Sequence, residues 1–126
     1  MPDTDLSTFL WLYTSTRGRL GRLPFFLAML LMAVILTLFL YLAGSSGKDT
    51  AGETFWAGVF LLGCVASLWL SFALAAKRAH DFGQPTIMGI LMILPLVSVV
   101  AFIAFCFIPG HPGPNAFGAS TNSRQA

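Results

Sequence analysis

The stretch IMGILMILPLVSVVAFIAFCFI, Ile87–Ile108, contains no Asp, Glu, Lys, Arg or His. About 20 mainly apolar residues suffice for a helix to cross the hydrocarbon of a bilayer, so this length predicts a span. Two earlier runs, Phe25–Ala43 and Thr54–Ala76, meet the same criterion and are equally free of charge. None shows the apolar/polar alternation of barrel strands, which leaves helix as the spanning form. The expected fold is an all-α membrane protein with three transmembrane helices within 23–108. One residue decides its topology. Pro95 sits in the middle of the third run, where it removes a backbone donor and kinks a helix. A kinked span is the expectation; a re-entrant hairpin, which would return the tail to its starting face, is the alternative.

Working outward, the rest of the chain fits a membrane setting. Of 126 residues, 56% are hydrophobic and only 10% charged. Soluble domains carry about 25% charged residues, so there is too little polar surface here to cover a water-soluble globule. The first run is longer than a signal-peptide h-region and ends in a poor cleavage pattern, Leu42-Ala43-Gly44-Ser45, which favours an uncleaved anchor. Cys64 and Cys106 both lie within apolar runs and at different depths, so no disulfide is expected between them.

Orientation follows from Lys and Arg in short loops. Arg17, Arg19 and Arg22 precede the first run, and Lys77 and Arg78 follow the second. Three crossings with the N-terminus inside place these five in the cytoplasm, with Lys48 and Arg124 outside. The expected location is the inner (cytoplasmic) membrane, multi-pass, N-terminus cytoplasmic. Residues 1–22 read as an interfacial N-terminal segment: Leu6, Phe9, Leu10, Leu12 and Tyr13 form a short amphipathic helix at headgroup depth, ahead of the Arg cluster. Residues 109–126 read as a Pro/Gly turn and a disordered tail.

Within the second span, Gly63, Ser67, Ser71 and Ala75 are spaced four apart, the small-residue face that lets helix backbones approach. An internal partner helix is favoured over a second copy. Ser67 and Ser71 can bond carbonyls one turn earlier. Proton relays and ion pathways place ionisable groups inside spans, and these spans have none, which disfavours a monomeric transporter.

Three polar clusters flank the runs. In Arg17-Gly18-Arg19-Leu20-Gly21-Arg22, the guanidinium groups would meet anionic headgroups, and Pro24 suits a first helical position. In Lys77-Arg78-Ala79-His80-Asp81-Phe82-Gly83, Asp81 can pair with Lys77 or Arg78 on a continuing helix, and Gly83 suits the left-handed residue that ends it. His80 and Asp81 are adjacent and point apart on a helix, so they are no ready-made dyad. In Pro109-Gly110-His111-Pro112-Gly113-Pro114-Asn115-Ala116-Phe117-Gly118, prolines and glycines set a tight reversal in which Asn115 bonds backbone groups. His80 and His111 fall on opposite faces of the three-span topology, so no shared metal site is expected.

Taken in order, these clusters resemble the YhaH-like family of small bacterial inner-membrane proteins, a domain of unknown function. Its pattern is R-G-R-x-x-R before the first span, R-R-x-H-D-x-G after the second and P-G-x-x-G-x-N-x-[FY]-G at the end. The matches are Arg17, Gly18, Arg19, Arg22, Arg78, His80, Asp81, Gly83, Pro109, Gly110, Gly113, Asn115, Phe117 and Gly118, with Lys77 for an Arg. The chain departs from it at Pro24, Phe26, Ile87, Met88 and Ala116. The resemblance implies a three-span inner-membrane protein and no established reaction.

The expected function is a non-enzymatic scaffold or accessory subunit whose partners are membrane lipids, other membrane proteins or a second copy, with no nucleic acid, cofactor or metal. Lipid-headgroup or partner binding would fall to Arg17, Arg19, Arg22, Lys77, Arg78, His80, Asp81 and Asn115. A second reading is a homo-oligomeric channel or transporter component lined by Thr37, Ser67, Ser71 and Ser98. A third is a lipid-headgroup enzyme, with His80 as acid/base, Asp81 orienting it and Arg17, Arg19 and Arg78 on the phosphate.

Overall fold

The computed structural model describes residues 6–124; positions 1–5 of the expected interfacial segment and 125–126 of the expected tail lie outside the described residues. Every regular element is helical: α1 (Leu6–Thr14), α2 (Arg22–Ser45), α3 (Ala51–Asp81), a 3₁₀ segment (Thr86–Met92) and α4 (Val97–Phe107). Among the described residues there is no strand beyond an isolated Asn115–Gly118 bridge.

Two helices, α2 and α3, are long and apolar enough to cross a membrane. Their 24 and 31 residues correspond to about 36 and 46 Å at 1.5 Å per residue. They pack as an antiparallel hairpin, the most extensive helix contact in the molecule. Gly63 makes the approach possible, since a Cβ there would come within 2.9 Å of the Leu36 side chain. The connecting turn is closed by a reciprocal cap. Thr50 Oγ1 accepts from the Glu53 N–H at 3.1 Å, and the Glu53 carboxylate accepts from the Asp49 N–H at 2.9 Å, so orphan donors at the start of α3 are satisfied.

Both helices extend past their expected bounds. α2 starts at Arg22 with Gly21 as its cap, so Pro24 is its third residue rather than its first. That position still lies in the opening turn, where a missing N–H costs nothing. α3 continues through the polar cluster and ends as expected at Gly83, whose φ is +82°. Gly83 N–H donates to His80 O at 3.1 Å and Gln84 N–H to Ala79 O at 2.8 Å, the two bonds of a Schellman cap.

The third apolar run differs from the kinked span expected of it. Thr86–Met92 winds as 3₁₀ against α3 and reaches Gly89, where a Cβ would meet the Phe72 carbonyl oxygen at 2.8 Å. The chain then breaks over Ile93–Leu96, where Pro95 has no N–H to continue a helix. Leu96 takes φ +65°, ψ −49°, and Val97 N–H donates to Pro95 O at 2.6 Å, a tight γ-turn. From there α4 runs back. The Thr86 hydroxyl lies 2.8 Å from His80 Nε2. At the other end of the run, Arg78 donates to Phe105 O at 2.7 Å and to Ile108 O. Both ends of 86–108 are therefore at the same end of α3. α4 has 11 residues, about 16 Å, so the hairpin reaches only part of the way along its neighbours.

The core collects at that end. Leu20, Phe25, Ala28, Leu74, Ala75, Met92, Ala101 and Phe105 form one buried cluster, with the Phe25 ring 5.9 Å from Phe102 and 6.0 Å from Phe105. The short helix read from the sequence forms as α1. Its Tyr13 hydroxyl donates to Ala28 O at 2.8 Å, and burial raises the pKa of the phenol, which keeps it a donor.

Candidate functional site

The last turns of α3 are the hub of the molecule. Asp81 is 2% exposed, and Arg19, Lys77 and Arg78 have no exposed surface. An isolated buried charge is costly unless paired and hydrogen-bonded, and each of these is provided for. Arg19 Nε donates to Asp81 Oδ1 at 3.0 Å and Arg78 Nη1 to Asp81 Oδ2 at 3.1 Å. The Thr121 hydroxyl adds a third donor to Oδ1 at 2.8 Å. One carboxylate thus joins the loop before α2, the end of α3 and the tail.

The remaining donors of the cations go to backbone carbonyls at chain reversals. Arg78 takes Phe105 O and Ile108 O, at the end of α4. Lys77 Nζ donates to Trp11 O at 3.0 Å, Leu12 O at 2.6 Å and Ser15 O at 2.5 Å, at the end of α1. Arg19 takes His111 O and Gly113 O at 2.7 Å and Gly118 O at 3.3 Å, in the Pro/Gly turn. Lys77 and Arg78 therefore sit where helix C-termini leave carbonyls unsatisfied and the helix dipole is negative. Lys77, read as a possible partner of Asp81, is committed to α1 instead.

His80 is 3% exposed. Its Nδ1 lies 2.9 Å from Gly18 O and its Nε2 2.8 Å from Thr86 Oγ1. A carbonyl can only accept, so Nδ1 carries a hydrogen and a neutral ring accepts from Thr86 at Nε2. The ring stacks on Phe117, 4.1 Å between centroids with 3° between planes. Asn115 Nδ2 donates to His80 O at 2.9 Å and lies 3.1 Å from His111 Nδ1, while its Oδ1 accepts from Phe117 N–H at 2.8 Å. The expectation that His80 and His111 lie on opposite faces is corrected: Asn115 touches both. Phe117 covers His80.

The tail expected to be disordered is bonded through Ser123. Arg19 N–H donates to Ser123 O at 2.8 Å, and Gly21 N–H to Asn122 Oδ1 at 2.7 Å. Gly110 presses on Asp81 so closely that any Cβ would overlap the carboxylate. Thr121 and Asn122 are site residues that sequence reasoning missed, since nothing in Ser-Thr-Asn composition signals them; Gly110 stood out only as part of the Pro/Gly turn.

Of the sequence-predicted binding residues, five are buried within this network (Arg19, Lys77, Arg78, His80 and Asp81) and Asn115 is half-buried against it. Arg17 and Arg22 are exposed, and Arg22 makes one long bond of 3.4 Å to Phe107 O. The packing residues lie elsewhere on α3. Gly63 faces α2, the Ser67 hydroxyl bonds Cys64 O at 2.7 Å, and Ser71 and Ala75 are buried. Cys64 and Cys106 are free thiols.

The architecture defines an all-helical protein whose N-terminal loop, α3 terminus and tail are tied together by one ionic knot. Residues 13–119 match the family described as a protein of unknown function, DUF805, and the chain belongs to that family. No curated protein and no solved structure matches it.

Proposed function

We propose that this is a non-enzymatic multi-pass membrane protein, a scaffold or accessory subunit held in the inner membrane. In this reading α2 and α3 cross the bilayer, residues 86–108 dip into it as a re-entrant hairpin, and both chain ends are cytoplasmic. The observation that carries it is the return of Ile108 to Arg78, beside the point where the hairpin left His80. A third crossing would need Ile108 at the far end of α3, and an 11-residue α4 spans only about half of a ~30 Å hydrocarbon layer. The charge count agrees. Arg17, Arg19, Arg22, Lys77, Arg78 and Arg124 gather at the knot end and Lys48 alone at the other, a positive-inside bias. The likeness to small bacterial inner-membrane proteins points the same way.

The scaffold reading follows from what the polar groups are used for. Both His80 nitrogens are engaged and Asp81 already accepts from three donors, which argues against acid–base chemistry at this pair. Outward faces offer apolar helix surface and exposed guanidinium groups, chemistry suited to contact with lipids and other membrane helices. Paired reporter fusions after Ala126 test the topology: the reporter active in the cytoplasm should light up, and periplasmic activity would refute the hairpin. For the scaffold role, purification in mild detergent should co-isolate a membrane protein in stoichiometric amount; recovery of this chain alone sinks it.

A further inference from the structure

We infer that the cleft where α2 begins holds one phospholipid with an anionic headgroup, gripped at its phosphate by Arg22. Two neighbouring hollows carry this. A half-polar cavity of about 640 Å³ lies between the start of α2 and the tail, with Arg22, Asp81, His111, Thr121 and Asn122 lining it beside Leu23 and three prolines. An almost wholly apolar groove of about 470 Å³ runs between α2 and α4, lined by Phe26, Phe102, Ile103 and Phe107. Arg22 and Leu23 belong to both. A half-polar chamber continuing into an apolar channel, with a guanidinium at the junction, has the shape of an amphiphile with its charge at the neck.

The sign of that charge follows from the census around the cavity. Asp81 is the one carboxylate among the described residues at this end, since Asp49 and Glu53 belong to the opposite turn. Its two oxygens accept from Arg19, Arg78 and Thr121. Three guanidinium groups therefore face one carboxylate, and the balance is positive. Arg22 is the one among them not drawn into the knot: it makes a single long contact, 3.4 Å to Phe107 O. A guanidinium so placed matches a phosphate bidentately. The groove beneath is exposed apolar surface, with Leu23 at 64%, Ile103 at 54% and Phe107 at 73%, which a bound acyl chain would cover. A second groove, between α1, α2 and α3, is apolar throughout and offers no charge to select a headgroup.

This inference rests on the membrane reading, which supplies the lipid, and it is tested separately. Full-length protein in detergent is titrated with phosphatidylglycerol, with phosphatidylcholine of the same chains, and with inorganic phosphate, and bound ligands are counted by native mass spectrometry. One phosphatidylglycerol should be retained with a preference of about tenfold or more over phosphatidylcholine, which offers the same phosphate but adds a choline cation that the positive balance of the cavity repels. Arg22→Gln should abolish the preference. Ile103→Trp should fill the groove and weaken both lipids while leaving the preference intact. Because both side chains are exposed, lipid-free melting should not change. Equal retention of the two lipids, indifference to both variants, or displacement of phosphatidylglycerol by equimolar inorganic phosphate would each overturn the site. Recovery of the protein in the aqueous fraction of lysed cells would instead overturn the membrane reading.

Discussion

The two parts of α3 are built on opposite principles. From Ala51 to Leu70 no residue is buried, although Phe55, Leu61, Leu62, Val65, Leu68 and Trp69 are among its side chains. From Ser71 to Asp81 every residue except Phe72 is buried, including Lys77, Arg78, His80 and Asp81. A soluble protein arranges its residues the other way, with large hydrophobes inside and ionisable groups almost never fully buried unless paired. Under the proposed membrane reading, the apolar part needs no protein cover because lipid surrounds it, whereas the polar part must be enclosed and satisfied internally. The ionic knot lies beside the hydrophobic cluster of Leu20, Phe25, Leu74 and Phe105 and ties together the chain segments around it.

The largest effect should come from breaking the knot. Asp81→Ala leaves the Arg19 and Arg78 guanidinium groups buried around a missing carboxylate, and removing one partner of a buried pair costs about 3–5 kcal/mol. Thermal unfolding in detergent, followed by size exclusion, should show collapse of the monodisperse peak. Retention of wild-type melting would mean that the carbonyls alone compensate the cations.

Val65→Lys probes the other part. Val65 is 67% exposed near the middle of the second apolar run. In water such a change is worth within about 0.5 kcal/mol; at a bilayer centre Lys costs about 2.5–3.5 kcal/mol by insertion scales. Membrane-fraction yield should fall sharply, and unchanged yield would remove lipid as the surroundings of this face.

A smaller effect is expected at Lys77→Met, which keeps the apolar stem and removes the ammonium from Trp11 O, Leu12 O and Ser15 O. A loss of about 1–3 kcal/mol is expected from leaving buried acceptors unsatisfied. Limited proteolysis should cut near Ser15 first, releasing α1 while α2–α4 stay folded. Uniform digestion would show that α1 is held by other contacts.

Much of the fold was legible because period and length carry it. The apolar runs at 25–43 and 54–76 gave α2 and α3, and Gly83 gave the end of α3 through its tolerance of positive φ. The third run left two readings open at Pro95, a kinked span and a re-entrant hairpin. Composition records that residues 87–108 prefer an apolar environment, not that Pro95 and Leu96 reverse the chain within it. Gly89 carried a hint, since only a residue without a side chain lets the 3₁₀ segment lie against the Phe72 carbonyl. The site residues Arg19, Lys77, Arg78, His80, Asp81 and Asn115 stood out as polar islands among hydrophobes. Their partners did not, because most are backbone carbonyls, which every residue possesses and no sequence pattern distinguishes.

The smallest effect belongs to the end of α3 that the knot does not reach. Thr50→Ala removes the cap acceptor of the Glu53 N–H and leaves the bond from the Asp49 N–H to the Glu53 carboxylate in place. Such caps are worth about 1 kcal/mol, and here the loss is local, since no tertiary network is built on Thr50. Hydrogen exchange should therefore quicken over the first turn of α3 and leave amides after Ser71 unaffected. If protection near Asp81 also dropped, the two parts of the helix would be coupled and would unfold as a single cooperative unit.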